Sequence, residues 1–166
     1  MPHYPKRILI VEDNKLDMRL LKDILEGSGY ETLQAADGLE AIDLAFASLP
    51  DLILMDIQLP EISGLEVTRR LRGDDRSRRI PIVAVTAFAM GWHEREALDS
   101  GCDAYISKPI SMLGFLRTVD SFLSRFPTSS PPDFADLRRN SHREVLLPAQ
   151  PRRSSRKTAA LVQDAA

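Results

Sequence analysis

Three short runs of the chain are wholly apolar and rich in β-branched residues: ILIV at 8–11, LILM at 52–55 and IVAV at 82–85. A strand with one wet face alternates polar and apolar positions, so unbroken runs of this length read as strands buried on both faces. They predict a parallel sheet covered by helices. Two further stretches are weaker. ETLQA (31–35) alternates and AYIS (104–107) is short, patterns that suit the edges of the sheet. Helical periods lie between them. Leu16, Leu20, Leu21, Ile24 and Leu25 form one stripe, stopped by Gly27 and Gly29, and Ala41, Ile42, Ala45 and Phe46 form a second. Leu65, Thr68 and Leu71 mark a third; Phe115, Leu116, Val119, Phe122, Leu123 and Phe126 make a strong last one. A fourth helix near 91–100 offers only Ala97 and Leu98 as apolar anchors, so it is expected to be the least firmly docked. Five βα units predict a three-layer α/β fold of the flavodoxin-like (βα)5 kind. With the apolar strands central, its five-stranded parallel sheet takes the order 2-1-3-4-5.

The pattern stops near Pro127. Residues 127–166 hold five of the eleven prolines, a TSSPP start and a PRRSSRK stretch, with little apolar periodicity. Such a composition cannot bury enough surface to offset its ordering entropy. The expected organisation is a folded domain over 1–126 and a disordered C-terminal tail over 127–166, with a short helix at 133–146 as a weak alternative within the tail. The tail reads as a solvated extension. Its arginines could touch anionic membranes or acidic partners, and its Ala165-Ala166 end is similar to the terminal tags that bacterial unfolding proteases grip.

Charge and cysteine usage narrow the class. The whole chain has a formal charge of −2. The tail carries seven basic and four acidic groups, which leaves residues 1–126 at −5. A folded part this acidic argues against binding nucleic-acid backbone. No apolar run has the ~20 residues of a membrane span, and MPHYPKR lacks the pattern of a signal peptide. One cysteine, Cys102, fits a reducing cytoplasm, and His3, His93 and His142 have no metal-ligand spacing.

In open parallel sheets the ligand site lies beyond the carboxyl ends of the strands. The first apolar run ends in Glu12-Asp13, the second in Asp56, the third in Thr86, and AYIS leads into Lys108. A lone carboxylate in such a place is ordinarily a solvated loop residue or a helix cap; Asn14, for one, reads as the cap of the first helix. A complementary set at four strand ends is not explained that way. Carboxylates crowded in one crevice raise each other's pKa, and a hard divalent cation relieves the conflict. A lysine and a hydroxyl beside that cation make a clamp for a tetrahedral dianion, with the central Asp56 as nucleophile toward a phosphoryl group.

The motifs ILIVEDN, DLILMDIQLPEISGLE, PIVAVTAFAM and AYISKP resemble the receiver domain of two-component response regulators, in matching order and spacing from about Lys6 to Phe126. Their detail is similar to the DivK type of single-domain cell-cycle regulator. The resemblance implies that Asp56 accepts a phosphoryl group from the phosphohistidine of a histidine kinase. It implies Mg²⁺, or Mn²⁺ in its place, bound directly by Asp13, Asp56 and the backbone carbonyl of Gln58, and through water by Glu12. Lys108 and Thr86 would contact the phosphoryl oxygens, beside the small Ala87, and Pro109 would follow Lys108 through a cis bond. Thr86 and Tyr105 would form the switch, the tyrosine turning inward as the threonine moves; the plain alternative is an amphipathic edge-strand tyrosine. Gly64 and Pro60 would let the loop after Asp56 turn into the third helix. Trp92 and His93 depart from the usual polar residues at the start of the fourth helix, either as a partner anchor near the switch face or by accident.

Two other classes fit the sequence less well. A haloacid-dehalogenase-like phosphatase also uses a strand-end aspartate but needs a second one two residues on, where this chain has Gln58. A flavodoxin would follow its first strand with a Ser/Thr/Gly-rich phosphate loop, where this chain has EDN. The tail is short for a DNA-reading output domain. Signalling is therefore expected through phosphorylation-dependent protein contact at the fourth helix, fifth strand and fifth helix. The expected partners are histidine kinases, pseudokinases among them, and a phosphotransfer protein. The expected site of action is the bacterial cytoplasm, with recruitment to the membrane or pole by those kinases. Self-dephosphorylation is expected to be slow, because Gln58 is no general base and Phe88 adds bulk where water would approach.

Overall fold

The computed structural model describes residues 5–87, 91–125 and 145–146. Strands β1 (Arg7–Val11), β2 (Glu31–Ala35), β3 (Leu52–Met55), β4 (Ile82–Thr86) and β5 (Ala104–Ser107) alternate with five helices. These are α1 (Lys15–Gly27), α2 (Gly38–Ser48), α3 (Gly64–Gly73), α4 (Gly91–Asp99) and α5 (Met112–Arg125). The five strands are parallel in the order β2-β1-β3-β4-β5, as the run pattern predicts. Every residue of β3 and β4 is buried, whereas β2 is exposed at Glu31 and Gln34, which marks it as an edge.

Side chains alternate across the sheet and make two cores. Ile8, Ile10, Leu54 and Val83 pack against Leu21 and Leu25 of α1 and against Phe115, Val119 and Phe122 of α5. Leu9, Val11, Ile53 and Ala84 face the other way, toward Ala41 and Ala45 of α2, Leu71 of α3 and Ala97 of α4. Burial of Phe115 and Phe122, each almost fully enclosed, contributes about 2 kcal/mol apiece.

The helix starts are capped locally. The Asn14 side chain accepts from the N–H groups of Leu16 and Asp17, that of Asp37 from Glu40, and that of Ser63 from Glu66. The expected α1 stripe is narrower than its leucines suggested. Leu21 and Leu25 are buried, but Leu16 and Leu20 are exposed. Leu20 lies about 100° around the helix from Leu21, and Leu16 further still, off the face that meets the sheet.

A two-residue strand, β6 (Val145–Leu146), pairs antiparallel with β5, Leu146 opposite Tyr105 and Val145 opposite Ile106. An edge strand presents unpaired N–H and C=O groups that take such a partner. Those two residues are extended, not helical. The rest of the tail, including 133–144 of the weak helix, lies outside the described residues, as do Phe88, Phe126 and the side chain of Trp92.

The register of the sheet builds the rim. Val11 lies opposite Met55, so the residues that follow, Glu12 and Asp56, emerge side by side. Thr86 lies opposite Ser107, which brings Lys108 to the same edge.

Candidate functional site

Hydrogen bonds just past the strands hold the rim in place. The Asp56 N–H donates to the Val11 carbonyl at 2.9 Å, the Glu12 N–H to Ala35 at 3.0 Å, and the Lys108 N–H to Thr86 at 2.9 Å. Each key side chain therefore hangs from a continued ladder and not from a loose loop. The loop after Asp56 returns through Gly64, whose N–H donates to the Ile57 carbonyl at 2.9 Å. Gly64 is needed for space rather than for an unusual backbone angle. A Cβ there would lie 2.0 Å from the Asp56 carbonyl oxygen.

Glu12, Asp13 and Asp56 present carboxylate oxygens that all lie within 4.8 Å of one another. Glu12 and Asp56 are buried and Asp13 is exposed, so the group opens to solvent on one side. An all-oxygen, mostly anionic donor set of this size fits a hard divalent cation that keeps some of its waters. Those three residues fit the expected metal set. The Gln58 N–H donates to Asp56 Oδ1 at 2.9 Å, placing that peptide against the same carboxylate.

The Lys108 ammonium sits among these acids. Its Nζ donates to Glu12 Oε2 at 2.6 Å, Asp17 Oδ2 at 2.8 Å and Asp56 Oδ2 at 3.0 Å. Burial alone would lower its pKa, but the bonds to Asp17, Glu12 and Asp56 outweigh it and raise the value, so the group stays charged. Burial pushes the Glu12 carboxyl above the usual range. The Lys108 and Asn14 hydrogen bonds pull it back, while the Asp56 charge raises it further. The Asn14 N–H bond to Glu12 Oε1 is 3.0 Å.

The remaining expected residues also fall at or beside this rim. Thr86 ends β4 fully buried, and the small Ala87 after it is exposed. The Lys108–Pro109 bond is cis. Tyr105 is directed inward, 3% exposed, on the same sheet face as Ala84 and two residues before Ser107, the partner of Thr86. Its hydroxyl has no hydrogen-bond partner among the described residues. Burial, then the Glu94 charge, raises its pKa.

Asp17 is the site residue that sequence reasoning missed. It lies in the first turn of α1, behind the Asn14 cap, rather than at a strand end. Its place three residues past that cap was the available signal. Cys102 lies away from the site; burial pushes its thiol up to about 11, so it stays protonated.

Residues 8–120 match the response regulator receiver domain family. The chain is 59% identical over 119 residues to the polar-differentiation response regulator DivK of Brucella anthropi, covering 72% of this chain and 97% of that protein. DivK of Brucella ovis is 58% identical over 118 residues, with 71% and 96% covered. Among solved structures, a putative response regulator from Chloroflexus aurantiacus superposes with a TM-score of 0.71 at 30% identity, covering 74% of this chain and all of that one. The receiver domain of a Pseudomonas aeruginosa sensor histidine kinase, with a magnesium ion coordinated in its active-site cleft, gives 0.69 at 32% identity. The match covers 73% of this chain and 99% of that domain.

Proposed function

The chain belongs to the response regulator receiver domain family, a signalling module of the DivK kind, and from that premise we propose that Asp56 is its phosphoryl acceptor. The observation that carries this is the position of Asp56, its carboxylate grouped with those of Glu12 and Asp13 and also bonded by the Lys108 ammonium. In the proposed transfer an Asp56 carboxylate oxygen attacks the phosphorus of a kinase phosphohistidine. The P–O bond forms as the P–N bond breaks, and the ring, already protonated on its other nitrogen, leaves as neutral imidazole.

Magnesium, or manganese, held by Asp13, Asp56 and the Gln58 carbonyl, and by Glu12 through water, would neutralise the carboxylates and the incoming charge. The protein's own groups do the rest. Lys108 donates to a phosphoryl oxygen in exchange for part of its bonding to the carboxylates. Thr86 reaches toward another oxygen, and Ala87 leaves room for it.

Signalling follows from coupling between Thr86 and α4. Among the described side chains of that helix, Ala97 is the one fully buried in the core. Few buried apolar contacts mean a low local opening free energy, so a small bias at Thr86 and Tyr105 can move it. The α4–β5–α5 face is then the output surface, presented to histidine kinases, to pseudokinases and to a phosphotransfer protein. The name of the Brucella relatives supports a role in cell-cycle or cell-fate control. No helix among the described residues is long and apolar enough to cross a membrane. This fits action in the bacterial cytoplasm, with kinase partners recruiting the protein to membrane or pole.

Intact-mass spectrometry after incubation with a small phosphodonor and Mg²⁺ tests the reading. The expected result is one added phosphoryl group, absent in Asp56→Ala and in chelated samples. Incorporation that survives Asp56→Ala overturns it.

A further inference from the structure

Asp17 is the acid in contact with Lys108 that stands outside the carboxylate group of Glu12, Asp13 and Asp56. It sits on the solvent side of the lysine: its side chain is 40% exposed, against 15% for Lys108 and 2% for Glu12. An ammonium has three N–H donors, and here Glu12, Asp17 and Asp56 take all three. No donor is left over for a new oxygen unless one of these contacts yields.

We propose that Asp17 is a positioning residue that sets the balance of the site between cation and phosphoryl anion. The inference rests on the reading of Asp56 as phosphoryl acceptor. Glu12 is enclosed and tied by the Asn14 N–H, so it cannot move away easily. Asp17, half-exposed at the start of a helix, is the partner that can. While it stays, it holds the ammonium in the rim, adds a negative charge near the cation ligands, and competes with an incoming phosphoryl oxygen for Lys108. Its charge therefore favours Mg²⁺ and opposes the dianion.

This gives a signature of opposite signs. Asp17→Asn keeps the side chain's size and removes its charge. Mg²⁺ should bind the unphosphorylated protein more weakly by roughly 3- to 10-fold, the scale of one partly screened charge nearby. At saturating Mg²⁺, beryllofluoride, a phosphoryl mimic, should bind more tightly by a similar factor. Asp17→Glu restores the charge and should return both values toward the wild type. A merely structural ion pair would change the unfolding midpoint without moving the two affinities in opposite directions.

The test is calorimetric titration of Mg²⁺, then of beryllofluoride at saturating Mg²⁺, into the full chain and both variants. Weaker cation and tighter anion binding in Asp17→Asn, reversed in Asp17→Glu, supports the proposal. Wild-type binding of both probes, with Asp17→Asn unchanged or shifted in one direction for both, overturns the role of Asp17 alone. A wild-type chain that binds Mg²⁺ but no beryllofluoride overturns the role together with the reading of Asp56.

Discussion

Gly64→Ala should damage both the fold and the phosphoryl site, because this glycine is where α3 meets the backbone of Asp56. The added Cβ would stand 2.0 Å from the Asp56 carbonyl oxygen, 2.9 Å from its carbonyl carbon and 2.9 Å from Met55 Cγ. Met55 can rotate its side chain, but the carbonyl cannot leave without moving the peptide. Opening the contact to even ~3 Å needs about 1 Å of relative shift between α3 and the end of β3, a displacement on the scale of overpacked cores. The Asp56 N–H is tied to Val11, and Leu65, Val67 and Leu71 of α3 are buried, so neither side yields freely. The expected cost is about 2–3 kcal/mol of unfolding free energy. A shift of ~1 Å at the acceptor should also slow phosphorylation, on the order of 10²-fold. Urea unfolding and phosphorylation by a small donor measure the two effects. Gly73→Ala is the control at the other end of the same helix, where a Cβ meets nothing within 4 Å. It should be neutral or stabilising by up to about 1 kcal/mol. A Gly64→Ala protein as stable as wild type and phosphorylated at the same rate would refute the close-approach argument.

Arg72 donates to the carbonyls of Gly101 (2.9 Å), Arg78 (3.0 Å) and Ile80 (2.6 Å) and to Asp103 Oδ2 (2.7 Å), tying α3 to the entries of β4 and β5. Arg72→Leu takes the cation from the Asp103 carboxylate, which keeps the Ile82 N–H bond at 2.8 Å, and removes a donor from three carbonyls. It should cost about 2–3 kcal/mol in urea unfolding, with a loss below ~0.5 kcal/mol contradicting this. The Tyr30 phenol, which donates to Asp120, is pushed up to about 12 by burial first and by that carboxylate second. Its folded pKa lies above the ordinary 10, so the stabilisation it gives is complete below pH 10 and is lost as pH rises through about 12. Asp120→Asn should lower the Tyr30 pKa, as read by ring-carbon NMR titration; an unchanged value would contradict the assigned partner. Hydrogen exchange with and without beryllofluoride should differ most over 86–108, the stretch that runs from Thr86 through α4, and a change confined to residues far from it would exclude α4 as the readout.

The parallel sheet was legible because β1, β3 and β4 are buried on both faces, which leaves no polar position to break their apolar runs. The rim was legible for a related reason: a polar residue at the end of each run has to emerge where the sheet stops. That logic finds Glu12, Asp56, Thr86 and Lys108, and it misses Asp17, which reaches Lys108 from a helix across 91 positions of sequence. Leu16 and Leu20 misled the helix reading because apolar character alone does not fix which face meets the sheet. The purpose of Gly64 was hidden for a different reason. A glycine kept for a close approach looks in sequence like a glycine kept for a turn.

The most direct measurement of the central claim is the chemical identity of the phosphorylated residue. An aspartyl phosphate is a mixed anhydride, which borohydride reduces to the alcohol, so the acceptor aspartate becomes homoserine. Peptide mass spectrometry of the full chain, treated with a phosphodonor and Mg²⁺ and then with borohydride, should find homoserine at position 56 alone. Homoserine at position 13 or 17, or none in a chain that has gained a phosphoryl group, would contradict the account.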